Sequence, residues 1–135
     1  MKELPQNIQQ LSASLVEDLK ESSAVIQRIR GKLQKHADGK NLKGGEITAW
    51  LGEIYGKMIL NGTLVSEKYD YDIEAGDMRV SVKARKGRSG ITGIIPRIEG
   101  DGCPTHLMFM QFTDSYSIER VWLFPWEDLH DQGRF

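Results

Sequence analysis

Cysteine is nearly absent from the sequence, which has a single one, Cys103, in 135 residues. One cysteine can form neither an internal disulfide nor a cysteine-rich zinc site, so we expect a protein of the reducing cytoplasm. Long hydrophobic runs are also missing, since no apolar stretch approaches the roughly 20 residues of a membrane span. The first ten residues lack the apolar stretch of a signal peptide. The sequence therefore predicts a cytoplasmic protein without a membrane partner.

An excess of charge of one sign is missing too. The chain has 18 lysines and arginines against 19 acidic residues, a net charge of −1. This balance excludes a histone-like cationic binder, although it permits a local basic patch. With 39% hydrophobic residues, the composition is that of an ordinary globular protein. We expect one domain over residues 1–135, with an N-terminal helical segment and loop (1–44) before a core (45–135).

The first predicted element is a long amphipathic helix over residues 6–35. Its apolar side chains are spaced three, four or seven residues apart and share one helical face: Ile8, Leu11, Leu15, Leu19, Ile26, Ile29 and Leu33. We expect this face to lie on the domain's own sheet, and the alternative is a homodimer formed by two copies of the helix. The helix could divide at Glu21–Ser23.

A second helix is predicted from Glu46 to Leu60. Glu46 and Glu53 are seven residues apart and therefore lie on one stripe of this helix. A second face carries small side chains, where another backbone can approach closely: Ala49, Gly52 and Gly56. Asn61-Gly62 predicts a left-handed cap that ends the helix.

The hydrophobic period then changes to two, which predicts a β-hairpin. Its first strand alternates between an apolar set (Tyr69, Tyr71, Ile73) and an acidic set (Asp70, Asp72, Glu74), and its second strand runs from Met78 to Arg85. A turn at Ala75-Gly76 would place Asp70 opposite Ser81. A turn at Gly76-Asp77 would place Asp72 there instead, and we favour it because Gly-X fits a type II′ turn.

The remaining chain predicts two more strands. Residues 87–104 are rich in glycine and predict a loop around a short element at 91–95. The nearly continuous apolar run His106–Phe112 predicts a central strand buried on both faces. Ile118–Phe124 predicts another strand, and a short helix follows Pro125. Two helices, a hairpin and two strands predict an α/β domain with a mixed sheet.

The hairpin segment Tyr69–Arg88, YDYDIEAGDMRVSVKARKGR, together with Glu53 in the preceding helix, resembles the PD-(D/E)xK phosphodiesterase superfamily. That family's core is a helix with a glutamate, then a hairpin with an aspartate on one strand and (D/E)xK on the next. The resemblance covers Gly45 to about Trp126 as a pattern of elements. It implies a restriction-endonuclease-like fold and a nuclease dependent on Mg²⁺ or Mn²⁺, with nucleic acid, and DNA in particular, as its partner.

The resemblance also implies the site residues. Asp72, Glu53 and the Val82 carbonyl would be metal ligands, with Asp70 and Glu46 as alternative carboxylates. Lys83 matches the lysine that activates water. Ser81 departs from the pattern, which has a carboxylate there. The acids that could replace it are Glu46, Glu74 and Glu99.

These residue types suit phosphodiester hydrolysis. A hard cation takes oxygen ligands and lowers the pKa of its bound water. A lysine two positions beyond Ser81 shares that residue's strand face, so Lys83 can orient or deprotonate the water.

Four cations cluster at the end of the hairpin. Lys83 is followed by Arg85, Lys86 and Arg88, and Arg97 is a further candidate. For these last four residues we expect contacts to phosphate groups. Two other functions remain open, because a fold does not by itself imply an activity. One is a catalytically inactive nuclease-fold module that binds nucleic acid or protein. The other is an interaction protein that self-associates through its N-terminal helix.

Overall fold

The structure, a computed structural model, describes residues 4–44, 46–66, 69–87 and 103–130. Within these residues the helices are α1 (Gln6–Gln34), α2 (Ile47–Leu60) and α3 (Trp126–His130). The strands are β1 (Thr63–Leu64), β2 (Ile73–Ala75), β3 (Met78–Lys86), β4 (His106–Phe112) and β5 (Ile118–Pro125). The predicted α/β class, with its flanking helices and long N-terminal helix, is confirmed. The two-residue strand β1 was not predicted, because two residues show no period.

The five strands form one mixed sheet in the order β1-β2-β3-β4-β5. Neighbouring strands are antiparallel except β3 and β4, which run parallel. Residues 107–112 of β4 are all buried, which confirms the prediction of a central strand buried on both faces. A parallel pair needs a crossover connection. The short element predicted at 91–95 lies outside the described residues.

Helix α2 packs closely on the sheet through its predicted small-residue face. A Cβ atom added at Gly52 would lie 2.8 Å from the Ala84 Cβ. One added at Gly56 would lie 3.1 Å from both the Ile73 Cδ1 and the Met108 Sδ. The two glycines therefore allow α2 to approach β2, β3 and β4 closely. This approach brings Glu53, the neighbour of Gly52, close to β3, where it lines a cavity together with Val82 and Ala84.

Helix α1 is continuous through Glu21–Ser23. It packs against α2, with Ile26 and Leu33 against the main core. The prediction that this helix lies on the sheet is therefore wrong, because α2 already covers that face. The N-terminal half of α1 and the residues before it leave large apolar side chains exposed: Leu4, Ile8, Leu11, Leu15, Val16 and Leu19. None of the described helices is long and apolar enough to cross a bilayer.

The register of the hairpin decides between the two predicted turns. Ile73 pairs with Val80 and Ala75 with Met78, so the turn residues are Gly76 and Asp77. Gly76 has a φ of +60° and Asp77 a negative φ, which is the pattern of a type II′ turn. The favoured register is confirmed.

The first strand of the hairpin is shorter than predicted. The residues before Ile73 were expected to continue the alternating strand, but they form a bend. Asp72 still donates its amide to the Val80 carbonyl at 2.9 Å, whereas residues 69–71 lie outside the ladder with β3. The Tyr69 amide donates to the Ser66 carbonyl at 3.2 Å, a local turn in place of a ladder bond. The Tyr71 hydroxyl donates to a Glu74 carboxylate oxygen at 2.7 Å. Asp70 and Asp72 therefore lie on a bent segment that leads into β2.

Candidate active site

Two of the predicted carboxylates meet at one lysine. The Nζ of Lys40 donates a hydrogen bond to Oε1 of Glu53 and lies 3.8 Å from Oδ1 of Asp72. The side chain of Lys40 is 12% exposed, that of Glu53 16% and that of Asp72 29%. The fold thus gathers two negative charges and one positive charge in a largely buried place beside α2.

Asp72 is held in position by the backbone of β3. The Val82 amide donates to Oδ2 of Asp72 at 2.8 Å. The ladder between β2 and β3 ends at the pair Ile73–Val80. The Val82 amide lies beyond this end, and the side chain of Asp72 accepts its hydrogen bond in place of a β2 carbonyl. The amide and carbonyl of one strand residue point to the same side. The Val82 carbonyl therefore faces the same side as Asp72.

A cavity of about 570 Å³ lies at this place. Six of the residues singled out from the sequence are among those that line it: Glu53, Asp70, Asp72, Ser81, Val82 and Lys83. They come from α2, from the bent segment before β2 and from β3. The fold therefore brings the helical glutamate, both hairpin aspartates and the Ser-Val-Lys segment to one cavity.

Ser81 and Lys83 share the opposite face of β3 from Val82, because successive side chains of a strand alternate. Ser81 is buried and Lys83 is exposed. The described residues contain no group of three or more acidic, histidine or cysteine side chains placed to hold a metal ion. Within that part of the chain, no third carboxylate takes the place that Ser81 leaves.

Two of the three acids expected to compensate for Ser81, Glu46 and Glu74, do not line this cavity. Glu46 directly precedes α2 and lines a neighbouring cavity of about 310 Å³, which it shares with Lys40 and Glu53. Glu74 stands opposite Arg79 on β3 and accepts the hydrogen bond from Tyr71. Glu99 lies outside the described residues.

The carboxyl of Glu53 has an unusual acidity. Burial raises its pKa from 4.5 to about 7, because a buried site disfavours the charged form. The hydrogen bond from Lys40 opposes this rise, and the negative charge of Asp72 adds to it. One ammonium balances the charge of only one of the two carboxylates. A further positive charge or a proton would therefore stabilise the cluster. A carboxyl group perturbed in this way within a cavity is a candidate for function.

The predicted basic run divides between the two faces of β3. Arg85 follows Lys83 on the same strand face and is exposed. Lys86 points to the other face, where its Nζ lies 4.5 Å from the centre of the Tyr116 ring. Arg88 and Arg97 lie outside the described residues. Within the described part of the run, only Arg85 extends the face of Lys83.

Lys40 was missed by the sequence analysis. It stands in a loop of glycine, asparagine and lysine with no spacing relation to the hairpin motif. Gln34 holds this loop against α1, because its side-chain amide donates to the Lys40 carbonyl at 2.6 Å and accepts from the Leu42 amide at 3.1 Å. Arg30 donates to the Leu42 carbonyl at 2.7 Å. None of these contacts follows a periodic pattern, so no signal in the sequence identified Lys40.

Trp126 is a second lining residue that the sequence did not assign to the site. Its side chain is buried, with 4% exposed. It also lines the 570 Å³ cavity. Its indole N–H has no hydrogen-bond partner in the part of the chain that the structure describes. A buried donor of this kind is rare in folded proteins.

No protein-family model matches the chain, and no curated protein shows significant similarity to it. Function is therefore inferred from the geometry of the site.

Proposed function

We propose that the chain is a metal-dependent, nuclease-like phosphodiesterase with a restriction-endonuclease-like fold, acting on nucleic acid and on DNA in particular. One observation carries the proposal. Glu53 and Asp72 converge on one ammonium, in a cavity that also contains Ser81, Val82 and Lys83. This is the set of residue types that the superfamily's motif combines, apart from the serine.

The residues of the site suit a hard divalent cation. Glu53 and Asp72 supply carboxylate oxygens, and the Val82 carbonyl faces the same side as Asp72. Mg²⁺ typically binds one or two carboxylates and keeps several of its waters. The excess of negative charge in the cluster favours such a cation. These residues would hold Mg²⁺ or Mn²⁺, which would supply a water of lowered pKa and neutralise charge at the phosphate.

The protein's own groups would do the remaining work. The Val82 amide holds the Asp72 carboxylate in one orientation. The ammonium of Lys83, a residue that also lines the cavity, would orient the attacking water or a phosphate oxygen. Arg85 continues the same face and would attract the nucleic-acid backbone, as would Arg88 and Arg97.

A catalytically inactive module that binds nucleic acid or a protein is the second candidate, and Ser81 favours it. A serine hydroxyl is a neutral ligand, so the site has one ligand charge fewer than the family's pattern. No compensating acid joins Glu53 and Asp72 within the described residues. Such a site would keep the shape of a nuclease and bind metal weakly.

A plasmid-nicking assay with Mg²⁺ or Mn²⁺ separates these candidates. The wild type should nick DNA, and Asp72→Asn or Lys83→Ala should lower the rate by about a hundredfold or more. Asp77→Asn is the matched control, because Asp77 is an exposed acid in the turn of the same hairpin, and it should leave the rate unchanged.

The other outcomes are equally informative. DNA binding without nicking by the wild type would support the inactive module. Neither binding nor nicking would overturn the nuclease and the nucleic-acid-binding form of the second candidate, and would leave only a module that binds protein.

We also propose a cytoplasmic homodimer formed through α1. The apolar side chains in the N-terminal half of that helix are exposed. Residues 6–16 carry no charged side chain, so two copies can approach there without like-charge repulsion. A second copy would give a chain of 135 residues the additional surface that contact with both DNA strands requires.

A further inference from the structure

Lys40 lies between the two carboxylates proposed as metal ligands. Its ammonium hydrogen-bonds to Glu53 and lies 3.8 Å from Asp72. It belongs neither to the hairpin motif nor to α2. The place where a cation would bind is therefore next to a cation that the chain itself supplies.

The backbone of Lys40 is anchored. Its amide donates to the Ala37 carbonyl at 2.9 Å, and its carbonyl accepts from the Gln34 side chain at 2.6 Å. Arg30 also donates to Asn41 Oδ1 at 2.8 Å, which ties the next residue to α1. Because the backbone is held at these points, the side chain of Lys40 reaches Glu53 and Asp72 from a preset position.

The ammonium can leave this position without unfolding the loop. A lysine side chain has four flexible methylene groups and carries a compact charge. Lys40 lines two cavities beside the site, of about 340 Å³ and 310 Å³. Each of them contains a carboxylate, Asp38 in the larger one and Glu46 in the smaller. Both cavities offer the displaced ammonium space, and the smaller one also offers a negative charge, because Asp38 in the larger one is already bound by Lys57.

We propose that Lys40 is a resident cation of the site, and that a divalent metal ion binds by displacing its ammonium from Glu53 and Asp72. This inference rests on the proposed function. In the absence of metal, Lys40 keeps the two carboxylates together and compensates part of their charge. A divalent ion repels the ammonium and competes for the same oxygens. Metal affinity is then lowered by the strength of the contacts that Lys40 must give up.

Titration calorimetry of Mg²⁺ and Mn²⁺ into the full chain tests the competition. Lys40→Met keeps the length of the side chain and removes its charge. This variant should bind the metal roughly ten- to a hundredfold more tightly than the wild type. The factor corresponds to the one charge-assisted hydrogen bond that the metal must break in the wild type.

Lys57→Met is the matched control for this comparison. The side chain of Lys57 is 14% exposed and binds Asp38 at 2.9 Å, away from Glu53 and Asp72. Its removal should leave metal affinity unchanged.

Acylation of lysines in the wild type gives a second readout that needs no variant. Lys40 and Lys57 are similarly buried, so both should react slowly in the metal-free protein. Saturating Mg²⁺ should increase the modification of Lys40, measured by mass spectrometry, and leave that of Lys57 unchanged.

The outcomes distinguish this inference from the proposed function. Equal metal affinity in the wild type and Lys40→Met, or unchanged Lys40 acylation in a metal-saturated protein, would overturn the role of Lys40 and leave the metal site intact. No metal binding by the wild type, by Lys40→Met or by the polar variant Lys40→Gln would overturn the metal-dependent function and this inference together.

Discussion

The raised pKa of Glu53 makes a quantitative prediction about stability. In the folded protein the pKa is about 7 instead of 4.5, so between these values the folded state binds more protons than the unfolded state. A raised pKa of this kind contributes stability below about pH 4.5, and the contribution is lost as the pH rises through 7. The difference of 7 − 4.5 = 2.5 pH units, at about 1.36 kcal/mol for each, corresponds to about 3 kcal/mol.

Glu53→Gln removes the titration and keeps the shape of the side chain. Between pH 4.5 and 7, the free energy of unfolding of the wild type should fall by about 3 kcal/mol relative to that of the variant. The variant also weakens the pair with Lys40, but that offset is constant to a first approximation and cancels in the comparison between pH values. The side chain of Glu53 is only 16% exposed, so screening by solvent reduces the effect little.

Urea unfolding measures this difference, with the fluorescence of the three tryptophans as the signal. Asp38→Asn is the control. Burial alone would raise the pKa of Asp38, but hydrogen bonds from Leu64 and Lys57 and the charge of Lys57 lower it below 3.8. The contribution of Asp38 to stability is lost only as the pH falls through acidic values. From pH 5 to 7 the free energy of unfolding of Asp38→Asn should therefore change with pH as that of the wild type does. If the free energy of unfolding of Glu53→Gln also changes with pH as that of the wild type does, burial does not raise the pKa of Glu53 as argued.

Three further predictions concern packing, DNA and assembly. Gly52→Ala should lower the free energy of unfolding by about 1–3 kcal/mol, because the added methyl group crowds β3. Gly31→Ala, at an open position of α1, should raise the free energy of unfolding by about 0.5–1 kcal/mol. Equal effects of the two substitutions in urea unfolding would contradict the close packing of α2. Arg85→Ala should weaken DNA binding and reduce the slope of log affinity against log salt concentration by about one. Lys86→Ala, on the opposite face of β3, should change this slope less. A larger change for Lys86→Ala than for Arg85→Ala would show that the other face binds DNA. Sedimentation equilibrium should show a two-chain species for the wild type and a monomer for Leu11→Asp, and a monomeric wild type at high concentration would exclude the dimer.

Local patterns in the sequence were sufficient for most of the secondary structure. The period of 3.6 predicted α1 and α2, and the apolar run predicted β4 as a central strand. Gly76 predicted the turn because a type II′ turn requires a positive φ at its first central residue. The small residues of α2 predicted its close approach to another backbone. These features depend on neighbouring residues, so a single sequence contains the information for them. The resemblance of the hairpin to a known motif selected Glu53, Asp72 and Lys83 from the same local information.

Tertiary packing decided what local patterns could not. The position of α1 depends on which surface of the domain is left uncovered. Because α2 covers this face of the sheet, α1 packs on α2 instead. Strand β2 begins only at Ile73, because a local turn, and not β3, takes the Tyr69 amide. The charge cluster joins Lys40, Glu53 and Asp72, which come from a loop, a helix and a bent segment. Their distances are set by the packing of α2 on the sheet and by the contacts that hold the Lys40 loop to α1. Because burial in that packing also raises the pKa of Glu53, the chemistry of the site is a property of the folded protein.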